Sequence, residues 1–243
     1  MKALRRAALI FLGVALAAAA SLAAIIAHPQ PLFGFHAENG PLELWSDRPF
    51  DEAAGRRVLT GVQKRIDASE LARPGEHHSI FIVNEPWKER LLFLWSFGAG
   101  GLNYFPLTRN VFIRAADVGR GVVLGPSGQP VAGQRTLAYF AAHEIAHTLT
   151  AEAIGVWAYA RLPTWVREGV ADYIGLMGDV DIPRLSRLLK IEDRELDPKK
   201  SGLYARYRLL VAHLIKEKHW SMMRVLTESP EQKTVEAELL RKE

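Results

Sequence analysis

Apolar positions along this chain change period three times, and each change marks a different kind of element. Residues 7–27 are apolar throughout with no polar face, the pattern of a helix surrounded on all sides by lipid or by a core. Further on, residues 42–45, 79–84 and 110–114 are short and rich in alternating, β-branched and aromatic positions, so they read as strands, with 121–124 a shorter fourth. Between the first two, Val58, Leu59, Val62 and Ile66 recur at helical spacing within residues 50–69 and predict one amphipathic helix. Residues 87–97 form a short apolar stretch. Gly98, Gly100 and Gly101 follow it and require a turn or a close backbone approach. After a Gly/Pro loop at 125–130 the pattern is helical only. Strands with one or two helices, followed by helices alone, predict an α+β domain whose sheet comes from the amino-terminal half. No internal repeat is visible.

The predicted organisation is a signal anchor or transmembrane helix over residues 1–27, a linker over 28–41, and one domain over 42–243. Pro29, Pro31, Gly34, Gly40 and Pro41 mark the linker. Lys2, Arg5 and Arg6 flank the apolar run and should stay cytoplasmic, which places the domain on the extracytoplasmic (periplasmic) side of the cell membrane. The small residues at 18–20 offer a cleavage site, and a cleaved chain would be secreted. Without those three cations the basic count falls from 31 to 28, against 27 acidic residues, so the domain is near neutral and nucleic acid is not an expected partner. Cysteine is absent, so any metal must be held by His, Asp or Glu.

The chemistry concentrates in residues 137–172. His143 and His147 lie four apart, which on a helix puts both imidazoles on one face and within reach of one zinc ion. Glu144, beside them, is placed to take a proton from a water molecule. Glu168 follows on what should be a second helix, opened by Pro163. If that helix folds back antiparallel, Glu168 completes a His2Glu set with one position open, the arrangement of a catalytic site. Asp172, one turn beyond, is the expected acceptor for the N–H of a ligand imidazole. Asp47, Glu52, His77 and His78 are expected on the solvated surface.

Residues 143–173 resemble the gluzincin metallopeptidases, in which a His-Glu-x-x-His motif and a downstream glutamate bind zinc. His143, Glu144, His147 and Glu168 match, and Trp165, Gly169 and Ala171 echo the surrounding pattern. The resemblance extends over roughly residues 134–219. It implies a zincin-like fold, with His143, His147 and Glu168 as zinc ligands and Glu144 as general base. Tyr204 then matches the tyrosine that stabilises the oxyanion in aminopeptidase-like members, with Tyr207 as the fallback. Thr150 and Ala153 occupy the places of the glycine and third histidine of metzincins, which excludes that group. The stretch 98–103 lacks the glutamate with which aminopeptidases hold a substrate amine. The expected function is therefore a membrane-anchored zinc-dependent endopeptidase acting on a protein or peptide, with 110–114 as the edge strand that aligns the substrate. The alternative is a non-enzymatic, membrane-anchored binding or assembly protein that keeps zinc for structure. A membrane-embedded active helix over 137–160 is disfavoured by Thr148, Thr150 and Glu152.

Overall fold

The computed structural model describes residues 2–241 except Trp95, Phe97, Ala132 and Gln134, with side chains from Arg5 onward. Phe97 and Gln134, which end the expected apolar stretch and open the expected motif-bearing part, lie outside the described residues.

Helix α1 (Lys2–Ala27) contains an apolar segment, Arg5–Ala27, long enough to cross a membrane or to serve as a signal sequence. Strands β1 (Phe35–Asn39) and β2 (Leu42–Ser46) form a hairpin around Gly40, whose φ of 61° suits glycine. Much of the expected linker is therefore part of the sheet. Its prolines and glycines serve to turn the chain, and Phe33 and Ala37 are buried. Helix α2 (Glu52–Asp67) starts where the Asp51 side chain accepts from Ala54 N at 2.8 Å. It leads to β3 (His78–Val83), α3 (Pro86–Phe93), β4 (Gly101–Asn103) and β5 (Val111–Arg114). A small hairpin, β6 (Ala116–Asp117) with β7 (Val122–Val123), precedes α4 (Leu137–Ile154).

Among the described residues the main sheet has the order β1-β2-β3-β5-β4, with β2, β3 and β5 parallel and both edges antiparallel. Two expectations change here. The strand at 110–114 is interior, because β4 pairs outside it, and the stretch read as a turn around Gly101 is itself the edge strand. Strand and helix also alternate in the amino-terminal half, so the domain is mixed α/β there and helical from α4 onward.

Side-chain alternation splits the core between the two sheet faces. Leu44, Ile80, Ile82 and Ile113 face α2 and α4, whereas Phe81, Val83 and Phe112 face α3, Phe33 and the end of α1. Helix α4 is buried by protein over most of its length, which explains why its sequence is apolar on nearly every side. Beyond it come α5 (Val156–Arg161), α6 (Thr164–Gly175), α7 (Ile182–Lys190), α8 (Pro198–Ser201) and α9 (Ala205–Ala212). Helix α9 runs into a π-helical stretch, His213–Glu217, and α10 (Met222–Glu228) and α11 (Gln232–Arg241) end the chain's described part. Helices α6 and α9 touch through Gly169, where a Cβ would lie 2.7 Å from the Tyr207 carbonyl oxygen, so only glycine permits that approach.

Candidate metal centre

Helix α4 begins at Thr136, whose hydroxyl accepts from Tyr139 N at 3.2 Å. Two turns further in, His143 and His147 project from one face with their rings 4.9 Å apart and nearly perpendicular. Glu168 comes from α6. Its Oε2 lies 3.5 Å from His143 Nε2 and 3.7 Å from His147 Nε2, and one donor atom from each residue lies within 4.8 Å of the others. The other oxygen, Oε1, accepts from Arg167 Nε at 3.3 Å, so the carboxylate is held with one oxygen turned to the imidazoles. Two nitrogens and one oxygen converging in this way fit a metal ion: ligand bonds of about 2 Å would place such donors roughly 3 to 3.5 Å apart.

What sets α6 at this distance is a buried clamp. Asp172, one turn after Glu168, accepts a short hydrogen bond from the Tyr139 hydroxyl of α4 and one at 2.5 Å from Arg208 Nη1 of α9. Gly175 lets the Tyr139 ring pass, since a Cβ there would sit 2.9 Å from Tyr139 Cδ2. The expected contact between Asp172 and a ligand imidazole is therefore not made. Its oxygens are committed to Tyr139 and Arg208, and Nδ1 of both His143 and His147 is buried without a hydrogen-bond partner.

The charges in this pocket are tightly linked. Burial opposes ionisation of Glu168, but the His143 hydrogen bond and the positive charge nearby outweigh it and hold the carboxyl at about 2. For His143 burial again works against charge, and Glu168, Glu144 and Asp172 overcome it, raising the imidazole above its ordinary value. Burial and the charge on His143 together push His147 down to about 3. An ionised Glu168 carboxylate is thus held against two imidazoles, where a cation would be favoured.

Glu144 is 8% exposed, and burial raises its carboxyl to about 7 against the pull of His143. Asn103 of β4 donates from Nδ2 to Glu144 Oε2 at 3.3 Å and to its carbonyl oxygen at 3.2 Å. On the same strand Gly101 leaves room for this side chain: a Cβ there would lie 2.7 Å from Glu144 Cγ. The glycine-rich stretch was legible as a close approach, whereas nothing in the sequence marked Asn103. The ring of Tyr204, just before α9, stacks on His143 at 5.8 Å, and Tyr207 stacks on Tyr204 at 6.0 Å. Of the two tyrosines, Tyr204 is the one against the site; burial and the Glu168 and Glu144 carboxylates raise its phenol well above the ordinary value. Tyr159 of α5, which the sequence did not single out, meets His147 edge-on at 6.2 Å.

His78 and Asp47 are not on the surface as expected. His78 is 1% exposed, and Asp47 accepts from Asn84 N at 3.0 Å and Glu85 N at 2.9 Å, fixing the turn after β3. No protein-family model, curated protein or solved structure matches this chain.

Proposed function

We propose that this protein is a membrane-anchored metallopeptidase of the zincin type, most simply a zinc endopeptidase. The observation that carries the reading is the convergence of His143, His147 and Glu168 beside a buried Glu144 that an edge strand positions. Zinc held by those three residues would supply Lewis-acid polarisation of a peptide carbonyl and of water. The remaining work falls to the chain. Glu144 takes the proton of the attacking water and returns it to the departing amine, a role suited to a carboxyl buried next to the ligands. The Tyr204 phenol keeps its proton and can donate it in a hydrogen bond to the developing oxyanion. As an edge strand, β4 has one side of its backbone unpaired among the described residues, and an extended peptide can align there antiparallel or parallel to it. This replaces the interior strand at 110–114 as the substrate-aligning element.

The decisive experiment compares the full chain with Glu144→Gln on an unfolded protein substrate, with bound metal measured on the same samples. Turnover should fall by about 10²- to 10⁴-fold while metal is retained. A metal-loaded Glu144→Gln chain that still cuts at the original rate would sink the assignment. Wild type that binds metal and cleaves nothing would favour the non-enzymatic scaffold.

A further inference from the structure

Glu168 and Asp172, on successive turns of α6, each hold a guanidinium, and the two cations are left in different states. Arg208 donates from Nη1 to Asp172 at 2.5 Å inside the clamp, and that pair is enclosed, with side chains only 17% and 2% exposed. Arg167 instead bonds Glu168 Oε1 through Nε, at 3.3 Å. Its side chain is 31% exposed against 13% for Glu168, and among the described residues neither Nη1 nor Nη2 has a hydrogen-bond partner. The outer edge of the guanidinium, whose paired N–H groups match the spacing of a carboxylate, is therefore open.

That edge stands beside the metal centre. A single carboxylate group separates the two, since Oε1 of Glu168 takes Arg167 while Oε2 faces both imidazoles. The other neighbour of Arg167 is Tyr159, whose ring lies 6.0 Å from the guanidinium carbon and meets His147 edge-on at 6.2 Å. The cation thus lies at the His147 end of the site. A metal about 2 Å from Oε2 would be within roughly 10 Å of the Nη atoms, and an extended peptide advances about 3.3 Å per residue. Allowing about 3 Å for a hydrogen bond, Arg167 meets a group one or two residues from a carbonyl on the metal. Charge favours an anion there. A divalent ion held by two neutral imidazoles and one carboxylate keeps one positive charge, and Arg167 adds another. A carboxylate can also take two parallel hydrogen bonds from a guanidinium, which a neutral amide cannot. We infer that Arg167 sets substrate specificity by binding a carboxylate one or two residues from the bond to be cut, either an acidic side chain or the peptide's own carboxyl terminus. That the ligand is a substrate rests on the peptidase reading above; that a carboxylate binds rests on the geometry of Arg167.

The test changes enzyme and peptide in pairs, so that a general loss of activity or of metal cancels. Unfolded casein is digested by the zinc-loaded full chain, and the cut sites are read by mass spectrometry. End-blocked peptides spanning one site are made with Glu or Gln at each of the two positions on either side of the cut. A second pair carries Gln throughout and ends, one or two residues after the cut, in a free carboxylate or an amide. Wild type should prefer the carboxylate form of one pair by about 10-fold in kcat/KM, Arg167→Gln should bring that ratio to about one, and Arg167→Lys should fall between. The pair that shows the effect identifies the source as side chain or chain terminus. No preference in either pair, or a preference that Arg167→Gln leaves intact, overturns the inference. If casein is not cut, the zinc-loaded chain is titrated with fluorescent alanine-rich peptides: end-blocked with Glu, end-blocked with Gln, and Gln-containing with a free carboxyl terminus. A carboxylate form bound about 10-fold more tightly than the blocked Gln peptide, with the difference lost in Arg167→Gln, keeps the carboxylate site and counts against the peptidase reading alone. Equal binding of all three overturns the site.

Discussion

Helix α4 meets two groups of ionisable residues, a buried one at its middle and a half-exposed one at its carboxyl end, and among the described residues the first is the one whose donor atoms converge as a metal's ligands would. At the middle, Glu168 Oε2 faces two imidazole nitrogens, and a single guanidinium, that of Arg167, touches the carboxylate from behind. At the end, Glu152 meets Glu76 between two arginines: Arg109 reaches Glu152 Oε1 at 2.6 Å and Glu76 Oε1 at 3.4 Å, and Arg73 reaches Glu152 Oε2 at 3.3 Å. His78 is buried beside them with its Nε2 3.8 Å from Glu76 Oε2. Composition alone would rank the two groups alike. The difference is geometric: at the end Arg73 and Arg109 already sit against the carboxylates, whereas at the middle two imidazole nitrogens and Glu168 Oε2 converge with the Arg167 guanidinium on the other oxygen.

Removing a donor breaks this contrast most directly. Glu168→Ala should weaken metal binding by roughly 10³-fold, about 4 kcal/mol, whereas Glu76→Gln should leave it unchanged; titration of the metal-free chains with zinc measures both. A smaller loss is expected from the clamp that sets α6. Arg208→Met leaves Asp172 buried with Tyr139 as its remaining partner, and should cost about 3 kcal/mol in denaturant unfolding, with weaker metal binding as Glu168 shifts. Next comes Gly101→Ala, whose Cβ would crowd both Glu144 and Ile113. It should cost about 1 to 3 kcal/mol and reduce turnover more than it reduces metal content, because it displaces the base and spares the ligands.

The smallest effect concerns pH and the terminal group. Burial, and then the neighbouring Glu152 carboxylate, raise Glu76 to about 7, so the folded state keeps a proton that the unfolded chain has released above about 4.5. Stability from this group is therefore present at low pH and is lost as pH rises from about 4.5 through 7. Relative to Glu76→Gln, whose amide cannot ionise, the wild type should lose about 1 to 2 kcal/mol across that window, the two arginines limiting the loss. Thermal unfolding of the two metal-free chains at both ends of the window checks this. A constant difference would place Glu76 in solvent.

The elements that were legible in the sequence are those with strong periodicity. The helix at 50–69 appears as α2 because Val58, Leu59, Val62 and Ile66 all face the sheet, and β3 sits where the sequence implied a strand at 79–84; that it is covered on both faces is what the structure adds. Strand β1 was missed because Phe35, His36 and Glu38 are exposed, leaving no alternating signal beyond Ala37. Strand β4 was missed because its first residue is a glycine chosen for contact with Glu144, which reads as a break.

By itself the sequence determined the spacing of His143 and His147, the presence of Glu144 between them, the lack of any thiol ligand, and an amino-terminal helix with no polar face. These are local properties, set by helical period and residue type. Only the tertiary structure decided that Glu168 returns to the histidines, that Asp172 clamps three helices instead of an imidazole, and that Asn103 holds the base. It also decided that β4, not β5, is the edge, and that the end of α1 is seated in the sheet's second core. Each of these depends on contacts between residues far apart in the chain, where packing, a glycine's missing Cβ and the sharing of a buried charge select one arrangement among several that the local pattern allows.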